Sequence, residues 1–256
     1  TDHALPTAVT NLFGAVEVTA GGRHTCARRS DHSVRCWGAN DGSQLGFGSV
    51  PFTTSSVDTT GLVGVSQIAA GDSHTCALRS GGTASCWGNN SNGKLGDGTD
   101  IGRSTPVTIP GLGGVVEITS GRFFSCARLM DGTARCWGGN NFGRIGDGTT
   151  IDRRTPVAVL GLTGVAQISA GRNHACARLS NGQVRCWGYN YAGQLGDGSS
   201  TQRNMPVAVL GLTTVAQIAS ADGHTCARLA DGTARCWGQN DAGELGDGVM
   251  GSPRPT

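Results

Sequence analysis

The side chains best suited to chemistry recur at one interval. Histidine stands at 24, 74, 174 and 224, and Gly-Asp-Gly sets Asp97, Asp147, Asp197 and Asp247 fifty residues apart. Cysteines form the pairs 26/36, 76/86, 126/136, 176/186 and 226/236, with Trp-Gly after each second member, from Trp37-Gly38 to Trp237-Gly238. Imidazoles brought to one axis would suit a metal ion, thiolates zinc, and turn carboxylates calcium. The spacing argues against each. Every Cys pair is too widely spaced for a zinc knuckle, and Asp97-Gly98-Thr99-Asp100 lacks the further ligands and terminal Glu of a hand-type calcium loop. A histidine repeated in every unit but one reads first as structural, and a turn Asp as bonding its own backbone or pairing with Arg103, Arg153 or Arg203. No Ser/His/Asp elbow, phosphate-cradling loop or nucleotide fingerprint is present. The expectation is no catalytic residue, no metal and no cofactor.

These residues are positioned by a repeat that fills the chain. Five copies of 50 account for 250 of the 256 residues, approximately 11–60, 61–110, 111–160, 161–210 and 211–256 plus 1–10. Short apolar runs between Gly-rich turns at this period indicate propeller blades. Each unit reads as four strands: a small-residue strand such as Val65–Ala70, two strands carrying the cysteines, and an outer strand such as Thr105-Pro106-Val107-Thr108-Ile109. A Pro at its start suits an edge strand.

The cysteine hairpin can be derived by counting. Leu129-Met130-Asp131-Gly132-Thr133 fits a three-residue loop, a type I turn followed by a left-handed Gly. If Leu129 and Thr133 close it as a hydrogen-bonded pair, alternation makes 126 and 136 face each other at a non-hydrogen-bonded site, with Cα atoms roughly 4.5 Å apart. A disulfide accepts that separation. The expectation is Cys26–Cys36, Cys76–Cys86, Cys126–Cys136, Cys176–Cys186 and Cys226–Cys236.

With Ala170-Gly171-Arg172-Asn173-His174-Ala175-Cys176-Ala177, Trp187-Gly188-Tyr189-Asn190 and Gly193-Gln194-Leu195-Gly196-Asp197-Gly198, the repeat resembles the regulator of chromosome condensation repeat family. That resemblance implies a β-propeller and raises guanine-nucleotide exchange as one function. The ten cysteines, the five-repeat length and the lack of an inserted hairpin speak against exchange.

The ends suggest how a ring would close. Leu5-Pro6-Thr7-Ala8-Val9-Thr10 aligns with the outer strand Thr155–Leu160, whereas the last copy stops at Ser252-Pro253-Arg254-Pro255-Thr256 without one. The fold expected is therefore an all-β, five-bladed propeller of four-stranded blades, closed in 3+1 fashion by residues 5–10 beside the third strand near 233–237.

Five evenly spaced Cys pairs point to an oxidising compartment, so the location expected is extracellular, periplasmic or the cell surface. A net charge of +2 offers no basic tail for nucleic acid, and the Arg ladder 28/128/178/228 with 35/135/185/235 reads as stems packed on the blades. No run is long enough to insert in a membrane. Strand alternation puts the first-to-second loops (21–24 and equivalents) and the third-to-fourth connections (38–48 and equivalents) on one face. There the copies depart from their rule: the third has Arg122-Phe123-Phe124 where others end in His, and the fourth has Arg172, Asn173, Tyr189 and Tyr191. These seven residues are the expected binding patch. The function expected is a secreted, non-enzymatic, monomeric module recognising a protein or glycan; the alternative is a rigid segment of a larger surface protein.

Overall fold

A computed structural model describes residues 4–251. It is an all-β, five-bladed propeller. Blade 1 comprises β1 (Ala15–Ala20), β2 (His24–Arg29), β3 (Val34–Ala39) and β4 (Phe52–Asp58). Blade 2 comprises β5 (Val65–Ala70), β6 (His74–Arg79), β7 (Ala84–Gly88) and β8 (Arg103–Thr108). Blade 3 comprises β9 (Val115–Ser120), β10 (Phe124–Leu129), β11 (Ala134–Gly138) and β12 (Arg153–Ala158). Blade 4 comprises β13 (Val165–Ala170), β14 (His174–Leu179), β15 (Val184–Gly188) and β16 (Arg203–Ala208). Blade 5 has β17 (Val215–Ser220), β18 (His224–Leu229) and β19 (Ala234–Gly238). Every sheet is an antiparallel meander, with the first strands of successive blades side by side.

The cysteine hairpin forms as its turn chemistry requires. The Gly132 N–H donates to Leu129 O at 3.0 Å and the Leu129 N–H to Thr133 O at 2.9 Å, while Gly132 takes φ +78°. Cys126 then stands opposite Cys136, and the five expected disulfides are present, each with Cα atoms 4.1 Å apart. The outer strands start earlier than expected. Pro106 lies within β8, where the register slips between Cys86 and Gly88, so the bulge of an edge strand accommodates its missing N–H.

The apolar core lies between blades. Leu95 from the connection after β7 meets Ile109, Leu112 and Ile118 against Trp137 of the next blade, all essentially buried. Polar stitches fix each junction. The indole Nε1–H of Trp87, Trp137, Trp187 and Trp237 donates to the carbonyl of Gln44, Lys94, Arg144 and Gln194 in the preceding blade, at 2.8–3.0 Å. Side chains of Glu17, Gln67, Glu117 and Gln167 accept from the backbone N–H of Ile68, Ile118, Ile168 and Ile218 one blade on, at 2.9–3.2 Å.

Contrary to the expected 3+1 closure, residues 5–10 do not complete blade 5, which has three strands among the described residues. Residues 6–9 carry no strand pairing; the Thr10 and Asn11 carbonyls instead accept from Ser56 and Arg35 of blade 1. The tail 252–256 lies outside the described residues. Among the described residues the stitches of the other junctions are also missing between blades 5 and 1: Trp37 is half-buried, and Val18 on β1 is 61% exposed.

Candidate functional site

The repeated polar residues serve the scaffold. The imidazole Nε2 of His24, His74 and His174 reaches sideways to the hydroxyl of Thr75, Ser125 and Thr225 in the next blade, at 2.8–2.9 Å. Each hydroxyl donates to the backbone carbonyl that also receives the Trp indole, so Nε2 must carry the proton. Burial holds His24 down to about 4 and His174 down to about 3, leaving both neutral at pH 7. Among the described residues no three His, Cys, Asp or Glu side chains gather closely enough to hold an ion.

The third-to-fourth connections are held by a buried Asn. Asn190 Nδ2 donates to Asp197 Oδ1 and to the Ser199 and Thr201 carbonyls, while its Oδ1 accepts the Leu195 N–H. Asp97, Asp147 and Asp197 accept from the N–H two residues on and pair with Arg103, Arg153 and Arg203 at 2.6–2.8 Å. The carboxylates are held below the usual range by these hydrogen bonds even though burial opposes it. Such loops present their outward side chains from a fixed base.

On that base the loops of blades 3 and 4 carry a continuous row of rings and guanidinium groups. Arg122 lies 5.1 Å from the Phe123 ring centroid; the Arg144 guanidinium sits 4.9 Å from Phe123 and 5.4 Å from Phe142. Phe142 meets Tyr189 at 4.9 Å, and Tyr189 stacks on Tyr191 at 6.4 Å. Tyr191 is 74% exposed. A cleft of about 600 Å³ runs between this row and blade 5, bordered by Tyr189, Tyr191, Arg172 and Asn173. A second, of about 310 Å³, lies between Phe123, Phe142 and Arg144. Arg172 is paired with Asp222 at 3.2 Å, and Arg122 lies 3.9 Å from Asp72.

Six of the seven expected patch residues therefore share the loop-rich face. Phe124 does not: it is fully buried, in the core between blades 3 and 4. It stands at the histidine position, and the hydroxyl that would meet a histidine is here Ala175, also fully buried. The pair is an apolar replacement of the His–hydroxyl stitch, so Phe124 belongs to packing.

Three residues of the site escaped sequence reasoning. Phe142 stands where other copies have Gly42, Asn92, Ala192 and Ala242, and Arg144 where they have Gln44, Lys94, Gln194 and Glu244. The departure at 142 was visible in the repeat; that the two interleave with Phe123 was not. Lys94 is 3% exposed, its Nζ donating to Asn89 Oδ1 at 2.9 Å and Ser91 Oγ at 3.1 Å, and burial lowers it to about 8.

Solved structures share this architecture. Human WBSCR16 superposes with a TM-score of 0.81 at 22% identity, over 93% of this chain and 65% of that one. Prp20p of Saccharomyces cerevisiae gives 0.81 at 20% identity, over 94% and 62%. The CRINKLY WD40 ectodomain of the Arabidopsis thaliana receptor kinase ACR4 gives 0.51 at 20%, over 92% and 66%. The chain thus spans 62–65% of the length of the first two. At these identities the likeness is one of fold. No curated protein matches the sequence. The profile of the RCC1-like domain matches residues 1–256, the whole of the repeat array described above: the chain belongs to the RCC1-like domain family.

Proposed function

We propose that the chain is a non-enzymatic recognition module, acting as a monomer outside the cytoplasm, that binds a protein through the loop-rich face of blades 3 and 4. The observation that carries this is the row from Arg122 to Tyr191, four aromatic rings interleaved with two guanidinium groups on loops anchored by buried Asn residues. Such rings contribute large contact area with little side-chain entropy to lose, and with Arg they are the usual anchors of protein interfaces. The polar residues that might have suggested catalysis are occupied in stitches and loop anchors. Protein binding also fits what one solved relative, seen in two structures, is described as doing: Prp20p binds Gsp1p and histones, and the same yeast protein is bound by Kap60. Five disulfides favour an oxidising compartment.

The test is quantitative capture from an extracellular protein fraction, with a glycan array in parallel. Replacing Phe123 and Tyr191 by Ala should weaken the retained partner by about 1–2 kcal/mol or more per anchor with the fold intact. Thr163→Ala, on the link at the opposite face, should change nothing. Equal, small effects at both faces would reject the patch, and retention by glycans alone would reassign it. A second reading, a rigid segment of a larger surface protein, is favoured by the apolar side of blade 1, where Val16, Val18 and Phe52 are exposed.

A further inference from the structure

Arg144 is a buried cation of the face on which Asp152 acts without forming an ion pair. It is 3% exposed, yet its Nε and Nη1 have no hydrogen-bond partner, and it makes no ion pair among the described residues. Burial lowers it to about 10. The equivalent polar group is engaged in every other copy. Gln44 and Gln194 accept the N–H of Gly42 and Ala192 at 2.8 and 3.0 Å, Glu244 accepts that of Ala242 at 2.8 Å, and Lys94 donates to Asn89 and Ser91. An arginine cannot accept, so Arg144 gives up the bond that closes its own loop. What it gains is a place between the Phe123 and Phe142 rings, whose faces stabilise a cation without forming hydrogen bonds. Its Nε and Nη1, both buried, are left without a partner at the wall of a cleft of about 310 Å³.

We propose that this cleft is a carboxylate-binding subsite, filled by an acidic side chain or a chain-end carboxylate of a protein partner; the proposal rests on the loop-rich face being the recognition face. A planar guanidinium with unused donors fits a carboxylate edge to edge. A single negative charge is favoured over a phosphate dianion, because the neighbouring cations are engaged: Arg172 with Asp222, and Arg122 beside Asp72. Asp152 adds negative charge nearby, held by the Asn140 N–H and Asn92 Nδ2 at 2.7 Å each. Asn173 supplies the complement. It borders the same cleft, and its buried Oδ1 also lacks a partner, so it can accept the backbone N–H of the residue whose carboxylate meets Arg144. The ring faces of Phe123 and Phe142 would cover the methylenes between.

The test uses the intact oxidised chain and the Arg Nε–Hε signals in NMR. The probes are acetyl-Gly-Glu-Gly-amide, its Gln counterpart, acetyl-Gly-Gly-Gly with a free terminus, and inorganic phosphate. One or both carboxylate peptides should shift the Arg144 signal saturably, and which one responds identifies the source. The Gln peptide should bind at least five-fold more weakly. Arg144→Gln, which installs the residue of two other copies and can close the loop as they do, should abolish saturable binding, read in both proteins from the backbone amides of the cleft residues Asn141, Phe142 and Asn173, while retaining the fold. Phosphate saturating at equal or lower concentration, no saturable response to either carboxylate, or an unchanged response in Arg144→Gln would overturn the proposal. Failure of the face itself would show separately, as partner capture indifferent to Tyr191→Ala.

Discussion

The junction between blades 3 and 4 can be converted into the other kind by two substitutions, and the energies should be strongly non-additive. Phe124→His alone places an Nε2–H against the Ala175 methyl in a site where both residues are fully buried. A buried donor without an acceptor costs about 1–3 kcal/mol, beyond the apolar surface lost with the ring. Ala175→Thr alone can donate its hydroxyl to the Arg144 carbonyl, which now takes only the Trp187 indole at 2.9 Å. It must do so beside the full Phe124 ring, and overpacking costs about 1–3 kcal/mol. The double variant recreates the 2.8 Å bond of His174 to Thr225 and removes both penalties. The expected coupling is about 2–3 kcal/mol in favour of the double variant, at the upper end for side chains in contact. Urea unfolding of all four proteins with disulfides intact, read from midpoints at a common m-value, measures it. Additivity within about 0.5 kcal/mol would refute the idea that positions 124 and 175 act as one unit.

Acidification should weaken the fold before its carboxylates titrate. His24 and His174 stay neutral when folded down to about 4 and 3, against 6.5 in the unfolded chain, so between about pH 6.5 and 4 only the unfolded state takes up their protons. Stability is then full above about pH 7 and falls on acidification by about 1.4 kcal/mol per pH unit for each histidine, and flat urea midpoints from pH 7 to 4.5 would contradict this. Thr214 holds φ +58° where Gly14, Gly64, Gly114 and Gly164 hold +63 to +67°, so Thr214→Gly should stabilise by about 1 kcal/mol in thermal or urea unfolding. Replacing Cys176 and Cys186 by Ala opens a loop of ten residues and should cost about 2–3 kcal/mol in urea unfolding, with peptide mapping showing the other four links unchanged.

What could be read from the sequence was what is local. The loop from Leu129 to Thr133 sets its own register through turn chemistry, so the cysteine pairing followed by alternation. The Asp197–Arg203 pair was legible because both ends lie in one connection. Phe124 was misassigned because its explanation sits at Ala175, in the next blade, and a departure read without its partner resembles a functional one. Arg144 was invisible for the same physical reason: its meaning depends on two rings, one of them 21 positions earlier, that only the packed loops bring to its faces. The terminal strand followed from the phase of the repeat, but phase does not specify which edge a segment meets: residues 6–9 pair with no strand, and the carbonyls that follow, of Thr10 and Asn11, meet Ser56 and Arg35 of blade 1.

The placement of the disulfides also decides how the molecule would respond to tension. Each joins residues ten apart inside one hairpin, so none ties a blade to its neighbour. Pulled from its ends, the chain can shed blades one after another, but each is short-circuited at its hairpin. Of the fifty residues in a repeat only about forty can extend, releasing about 140 Å of contour length rather than the roughly 175 Å of a reduced blade. The covalent pattern thus leaves the junctions as the yielding elements and caps how far each one gives.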